Sequence, residues 1–239
     1  MSEDNPIRLF AVHGWQMDED YRRLFEYLES ADNFYYKAIS NPDAQSPQGD
    51  GVAARRRRRA SERPVTLPAW HEEPIAKVHD RKTFDCGDAD LNTFLLRFAR
   101  QGHEQNAAKT FCAIAADTPN RILGFYSIAP ASVAHGVVPE AMTKGLARHQ
   151  VPGFLLARLA VDRTVAGRGL GGQILLSAAL RCLRVTQEVG GVLMIIEAKN
   201  ERAARWYGRF GAEPLADRPL TLAAPLATFA AALRESGHL

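Results

Sequence analysis

The stretch LARLAVDRTVAGRGLGGQILLSAAL limits the folds open to this chain more than any other. It reads as an apolar strand (Gly153–Asp162), a glycine loop (Gly167–Gly172) and a long amphipathic helix carrying Ile174, Ala178, Cys182, Val185 and Val189 on one face. Gly167, Gly169, Gly171 and Gly172 crowd the start of that helix. Helix propensity alone would not choose them there. Glycines at a strand-to-helix turn let backbone N–H groups converge on an anion, and the helix N-terminus adds partial positive charge. A Walker loop is excluded, because no Gly-Lys-Ser/Thr is present. Gly167-x-Gly169 with Gly172 formally fits the dinucleotide pattern G-x-G-x-x-G. Against that reading, hairpin-like strands and a helix precede it, and no acid ends a second parallel strand about twenty residues on. The glycine pattern alone leaves the choice open.

The flanking segments suggest a mixed α/β domain. Leu91, Phe94, Leu95 and Phe98 follow Asp88 at i, i+3, i+4 and i+7, predicting a capped amphipathic helix. Thr110–Ala115 and Ile122–Ile128 predict a hairpin around Thr118-Pro119-Asn120. Val192–Glu197 is apolar on both faces, as a buried strand would be. A short helix over Ala203–Phe210 and a strand near Leu220–Ala223 complete the unit.

The first 66 residues differ in character. Residues 1–50 hold ten acids and four bases, residues 51–64 hold six arginines and one glutamate, and the remainder is mildly basic. Arg8–Val12, a helix through Tyr21, Leu24, Phe25 and Leu28, and Asn33–Ser40 predict a small βαβ-like segment. Turn-rich sequence and the run Arg55–Arg59 follow it. The expected division is therefore a head at 1–50, a basic linker at 51–67 and the main domain at 68–235. Three scattered cysteines, Cys86, Cys112 and Cys182, form neither a disulfide framework nor a zinc motif. No apolar run is long enough to span a bilayer, and MSEDNPIRLF lacks the pattern of a secretory signal. The expected location is cytoplasmic.

Motifs on either side of the loop make the reading more specific. Ala166-Gly-Arg-Gly169-Leu-Gly171 resembles the pyrophosphate loop of the GNAT superfamily of N-acetyltransferases, Gln/Arg-x-x-Gly-x-Gly/Ala. It matches both glycines and departs at Ala166, where the side-chain contact of the usual Gln or Arg is lost. Ala204-Arg-Trp-Tyr207-Gly-Arg-Phe210-Gly211 resembles the family's aromatic pair before a Phe-Gly turn. With FDCGDADLNTFLLRFARQGHEQN and GFYSIAP, the chain over about residues 70–230 is similar to the GNAT toxins of bacterial type II toxin–antitoxin modules, the TacT/AtaT-like group. This resemblance implies a GNAT fold: a mixed, mostly antiparallel sheet with flanking helices. It also implies acetyl-CoA as acetyl donor, the α-amine of aminoacyl-tRNA as acceptor, arrest of translation, a ribbon-helix-helix antitoxin and a homodimer. The head is similar to the opening of Toll/interleukin-receptor (TIR)-like domains of bacterial defence proteins. The segment that would carry an NAD-cleaving glutamate is missing, so the head reads as truncated and contributes no enzymatic residue.

The chemistry needs a neutral amine, a polarised thioester carbonyl and a proton for the leaving sulfur. The α-amine of an aminoacyl ester is less basic than a free lysine and needs little help from a base. A splayed strand near Leu159, Ala160 and Val161 would polarise the carbonyl. Gly167, Arg168, Gly169, Leu170, Gly171 and Gly172 would hold the pyrophosphate. The resemblance makes Tyr207 the acid; the alternative is an aromatic packed in a Trp-Tyr-x-x-Phe helix. Glu197 is either a base or a solvated strand end. His103 with Glu104 sits at a helix end, and His79, His135 and His149 have no metal-ligand spacing. Arg97, Arg100, Lys109, Arg148 and Arg158 are the nucleic-acid candidates, with Lys144 and Arg163 also on the basic body. Two other readings stay open: an acetyltransferase for a small amine or a protein N-terminus, and a non-catalytic binding module.

Overall fold

A computed structural model of the chain describes residues 67–235. The TIR-like reading of residues 1–50 and the arginine run of the linker lie outside the described residues. Leu67, the last residue assigned to the linker, already packs on the core.

Seven strands form one sheet. They are β1 (Trp70–Pro74), β2 (Lys109–Ala115), β3 (Ile122–Ala134), β4 (Gln150–Val161), β5 (Leu193–Glu197), β6 (Glu213–Leu215) and β7 (Arg218–Pro225). Their spatial order is β1-β2-β3-β4-β5-β7-β6, and only the β4–β5 pair is parallel. The helices are α1 (Ala89–Thr93), a π-helical turn (Phe94–Phe98), α2 (Ala99–Glu104), α3 (Glu140–Thr143), α4 (Leu170–Val189), α5 (Glu201–Gly208) and α6 (Leu226–Glu235). A parallel pair needs a crossover, and the twenty-residue α4 supplies it. The β2–β3 hairpin turns where Pro119 suggested, with Arg121 N–H donating to Thr118 O at 2.9 Å. Residues Leu193–Ile196 are buried on both faces because β5 lies inside the sheet.

Successive strand residues point to opposite faces, and the core divides accordingly. Tyr126 belongs to a cluster under α4 and α6 with Leu170, Ile174, Cys182 and Phe229. Its neighbour Phe125 belongs to a second cluster under the helix beginning at Ala89, with Leu95, Ala99 and Ala160. A third cluster, including Val133, Val151 and Leu193, supports the far end of the long β3–β4 ribbon. Each fully buried Leu, Ile or Phe contributes roughly 1.5–3 kcal/mol.

Several local expectations change. Asp88 does cap α1, accepting from Asp90 and Leu91 N–H at 3.0 and 3.1 Å. The π turn then adds one residue to the repeat, so Ala99 fills the buried position expected for Phe98, which is 55% exposed. Helix α4 begins at Leu170, which places Gly171 and Gly172 in its first turn rather than in the loop. Val185 and Val189 are exposed because the last turns of α4 run past the core; Leu175 and Ala179 complete its buried face. Strand β6 and helix α6 were not anticipated.

Candidate active site

Strands β4 and β5 meet and then part. Their pairing runs from Gly153–Leu193 to Leu156–Ile196 and stops, although β4 continues to Val161. At the joined end the approach is close: a Cβ on Gly153 would lie 2.4 Å from the Leu193 carbonyl oxygen. Just beyond the last pair, Ala157 is an extra residue between Ser127–Arg158 and Ile128–Leu156, a β-bulge that turns the strand. Asp162 N–H donates to Leu123 O at 2.9 Å. By alternation, Ala160 and Arg158 also face β3, while the N–H groups of Leu159 and Val161 face the gap left by β5. Ala160 therefore belongs to the same strand end but does not offer its N–H to the gap.

The glycine loop opens at the end of this strand. Asp162 is buried; its carboxylate accepts from Thr164 N–H at 2.9 Å and from Asp85 N–H at 3.0 Å. These bonds fix the exit of β4 against a neighbouring loop. Gly167 and Gly169 adopt left-handed φ of +77° and +87°, and Gly169 is the N-cap of α4 with no side chain over the helix end. The first-turn N–H groups of α4 therefore point out of the loop uncapped by any Gly169 side chain. Gly171 and Gly172 serve packing: a Cβ at either would touch Trp206 or Phe210 at 3.4 Å. The aromatic helix α5 thus rests on the beginning of α4. Ala166 is exposed at the position where the resemblance expected Gln or Arg, and Arg168 is half-buried in the loop.

Tyr207 lies on α5, capped by Asn200, whose side chain accepts from Ala203 N–H at 2.9 Å. Its ring is buried in the main core, edge-on to Trp206 with centroids 4.8 Å apart. The packed-aromatic reading is right for the ring. The hydroxyl has no hydrogen-bond partner among the described residues. Burial pushes the phenol well above its ordinary value, so it is protonated throughout the neutral range. A Cβ on Gly171 would meet Trp206 at 3.4 Å and Val161 at 3.7 Å, so the end of β4, the start of α4 and the aromatic helix α5 converge there.

The remaining sequence candidates separate. Glu197 is exposed at the end of β5. His103 has a structural role: its Nδ1 meets the Thr110 backbone, and burial lowers its pKa. His79 is buried between Glu73 and the Ala76 N–H. Among the described residues no three His, Cys, Asp or Glu side chains could hold a metal. Cys112 and Cys182 are free and buried, with pKa values pushed up to about 12, so they are inert thiols.

The basic set divides as well. Arg97 is exposed on the π turn, and the Arg158 guanidinium lies 5.0 Å over the ring of Phe94 on that same turn. Arg100 is paired with Glu104, and Lys109 donates to His103 O at 3.1 Å. Arg163 pairs with Asp85 at 3.0 Å. Arg148 is apart from these, in an open cavity of about 750 Å³ with His135, His149 and Glu140. That cavity lies at the opposite end of the β3–β4 ribbon from the glycine loop.

Sequence reasoning missed the Ala157 bulge, the contact of Gly153 and the pinning carboxylate of Asp162. Only the last had a local signal, an Asp two residues before a Thr at a strand exit.

No family model matches the chain. The chain is 32% identical over 148 residues to the tRNA-acetylating toxin of Mycobacterium tuberculosis (strain ATCC 25618 / H37Rv), an alignment spanning 62% of this chain and 87% of that protein. A tyrosine-to-phenylalanine variant of KacT superposes with a TM-score of 0.64 at 27% identity, over 68% of this chain and 98% of that one. AtaT complexed with acetyl-methionyl-tRNAfMet superposes with the same score at 23% identity, over 68% and 98%, and shares the fold.

Proposed function

The chain belongs to the family of tRNA-acetylating toxins with the GNAT fold, and from that premise we propose that it transfers acetyl from acetyl-CoA to the α-amine of aminoacyl-tRNA and so arrests translation. One observation carries the reading: β4 leaves β5 at the Ala157 bulge and, after a single 3₁₀ turn (Arg163–Val165), reaches the left-handed glycines that start α4. A GNAT acetyltransferase needs this juxtaposition, because a pantetheine arm can bond to free strand N–H groups while its pyrophosphate rests on a helix N-terminus.

The residues present fit acetyl-CoA. Gly167 and Gly169 shape the pyrophosphate cradle, with Arg168, Leu170, Gly171 and Gly172 around it. The N–H groups of Leu159 and Val161 line the gap, beside Ala160. Ala166 supplies no side-chain contact, so the cradle depends on backbone N–H groups and the α4 N-terminus. Acetyl-CoA supplies the activated acetyl group and a thiol leaving group. Free N–H groups at the gap stabilise negative charge developing on a carbonyl oxygen, the role of an oxyanion hole. Tyr207, protonated at neutral pH, would give its hydroxyl proton to the sulfur as the C–S bond breaks, and the proton lost by the attacking amine would restore the phenol. No strong base is required, because an aminoacyl ester amine is already partly neutral near pH 7.

Arg97 and Arg158 are the tRNA contacts best placed beside the site. Arg100 and Lys109 extend this surface with part of their charge already paired, and Arg148 would reach a more distant part of the same substrate. The protein acts in the cytoplasm, as a homodimer, and a ribbon-helix-helix antitoxin restrains it. No helix among the described residues is long and apolar enough to cross a membrane. Residues 68–235 are the catalytic unit, residues 51–67 a basic linker, and residues 1–50 a truncated TIR-like segment outside the catalytic unit. Expression without an antitoxin should halt protein synthesis and accumulate acetylated aminoacyl-tRNA. Deleting residues 1–66 should leave both effects intact. Growth arrest with normal aminoacyl-tRNA would overturn the reaction, and a folded but inactive truncation would overturn the division.

A further inference from the structure

The π turn leaves Phe98 exposed on a segment whose first residue, Phe94, packs against Arg158 of β4 next to the gap. A regular α-helix would direct Phe98 into the core. The extra residue instead gives that buried position to Ala99 and leaves Phe98 55% and Leu96 39% exposed, with Arg97 exposed between them. Stability does not favour this exchange of a phenylalanine for an alanine in the core. π turns of this kind are frequent at functional sites.

The exposed ring is part of a larger arrangement. Phe94 and Phe98 begin and end the same five-residue π turn, in which Ala99 follows Phe94 one turn on, its N–H donating to Phe94 O. Phe94 is fixed from behind by stacking on Phe125, with centroids 6.1 Å apart and planes 24° from parallel. Its other neighbour is the Arg158 guanidinium, 5.0 Å from the ring centroid. Arg158 itself donates to the carbonyl of Ala157 at 2.7 Å. The series therefore begins at the bulge, one residue from the free N–H of Leu159, and leads through Arg158 to Phe94, whose π turn ends at Phe98.

We propose that Phe98 and the Arg158 guanidinium, which Phe94 supports from below, offer stacking faces for the unpaired 3′ nucleotides of the charged tRNA, with Arg97 beside them for the backbone phosphates. This rests on the aminoacyl-tRNA reading above. The esterified 3′ ribose must sit at the gap for its amino acid to be acetylated. The nucleotides before it must then leave across whatever borders the gap. An unpaired RNA end offers open base faces, which aromatic and guanidinium planes bind with little sequence preference, and negative phosphates, which suit arginine side chains.

The test uses the full chain with charged tRNA carrying 2-aminopurine in its single-stranded 3′ end. Phe98→Ala should raise KM for charged tRNA about tenfold, the effect of one lost base–aromatic stack. It should leave kcat and acetyl-CoA affinity unchanged. Wild-type protein should quench the 2-aminopurine, Phe98→Ala should not, and Phe98→Tyr should restore both quenching and KM. An unchanged KM and unchanged quenching in Phe98→Ala would overturn the proposal. A change of oligomeric state in Phe98→Ala would overturn it too, assigning the patch to contact between copies. Failure of the wild type to acetylate charged tRNA at all would instead refute the functional reading beneath it.

Discussion

Replacing Tyr207 by Phe removes one oxygen from a site whose surroundings are well defined. The ring keeps its edge-on contact with Trp206 at 4.8 Å and its place in the core. The hydroxyl gives up no hydrogen bond to any described residue, so no partner is left unsatisfied. Removing a buried polar group without a partner costs little or nothing. The expected change in stability is below about 1 kcal/mol, which for a domain of this size is a melting shift within about 2–4 °C. Turnover should behave differently. Loss of a general acid slows the chemical step by roughly 10²-fold or more, a rise of about 2.7 kcal/mol in the barrier. Acetyl-CoA affinity should hold, because the lost interaction belongs to the transition state. Single-turnover acetylation and thermal melting on one preparation separate the two quantities. Wild-type turnover in a folded Tyr207→Phe variant would refute the assignment of Tyr207 as acid. The exposed carboxylate of Glu197, acting through water, would then be the next group to replace.

Three further outcomes follow from the geometry. Gly169→Asp should weaken acetyl-CoA binding at least tenfold, about 1.4 kcal/mol, whereas Gly169→Asn, which tolerates the left-handed φ of +87° equally well but adds no charge, should lose less; calorimetry giving equal losses would remove the charge argument. Gly153→Ala puts a methyl group 2.4 Å from the Leu193 carbonyl oxygen and should cost about 1–3 kcal/mol by overpacking, while an unchanged melting temperature would show that β4 and β5 separate freely there. The lowered pKa of His103 means the unfolded chain takes up that proton first, so stability should fall as pH drops below the ordinary histidine value towards the folded one, and denaturation between pH 7 and 5 should show a shallower decline in His103→Gln.

The sequence made the fold of residues 67–235 legible where local chemistry is strong. Asp88 read as a cap because a carboxylate before an apolar helical repeat has one good use. The glycines read as an anion loop because a helix N-terminus otherwise avoids them. The apolar run at β5 marked a strand buried on both faces. The π turn was invisible, because Leu91, Phe94, Leu95 and Phe98 satisfy an α-helical repeat as well as they can. Only the tertiary cluster that Ala99 joins, with Phe125 and Ala160 among its members, shows that Ala99 goes inside. Gly171 and Gly172 looked like loop glycines, yet their neighbours are Trp206 and Phe210, more than thirty residues away in sequence. The β4–β5 gap depends on a bulge at Ala157 and a close approach at Gly153. Both are relations between strands, and neither leaves a mark in one strand alone. Arg158 and Phe94 likewise meet only because β4 and the helix after Asp88 share a face of the sheet. Tyr207 shows why a residue's role is hard to read from type: its ring is core, and its hydroxyl has no hydrogen-bond partner among the described residues.

The most direct measurement is transfer of labelled acetyl from acetyl-CoA to a pool of charged and uncharged tRNAs by the purified full-length protein. Label should enter only the charged fraction and be released by mild alkali as N-acetyl-amino acid, since the ester breaks and the amide survives. Label that stays on the RNA after alkali, enters uncharged tRNA, or appears only on protein or free amines would contradict acetylation of the aminoacyl α-amine.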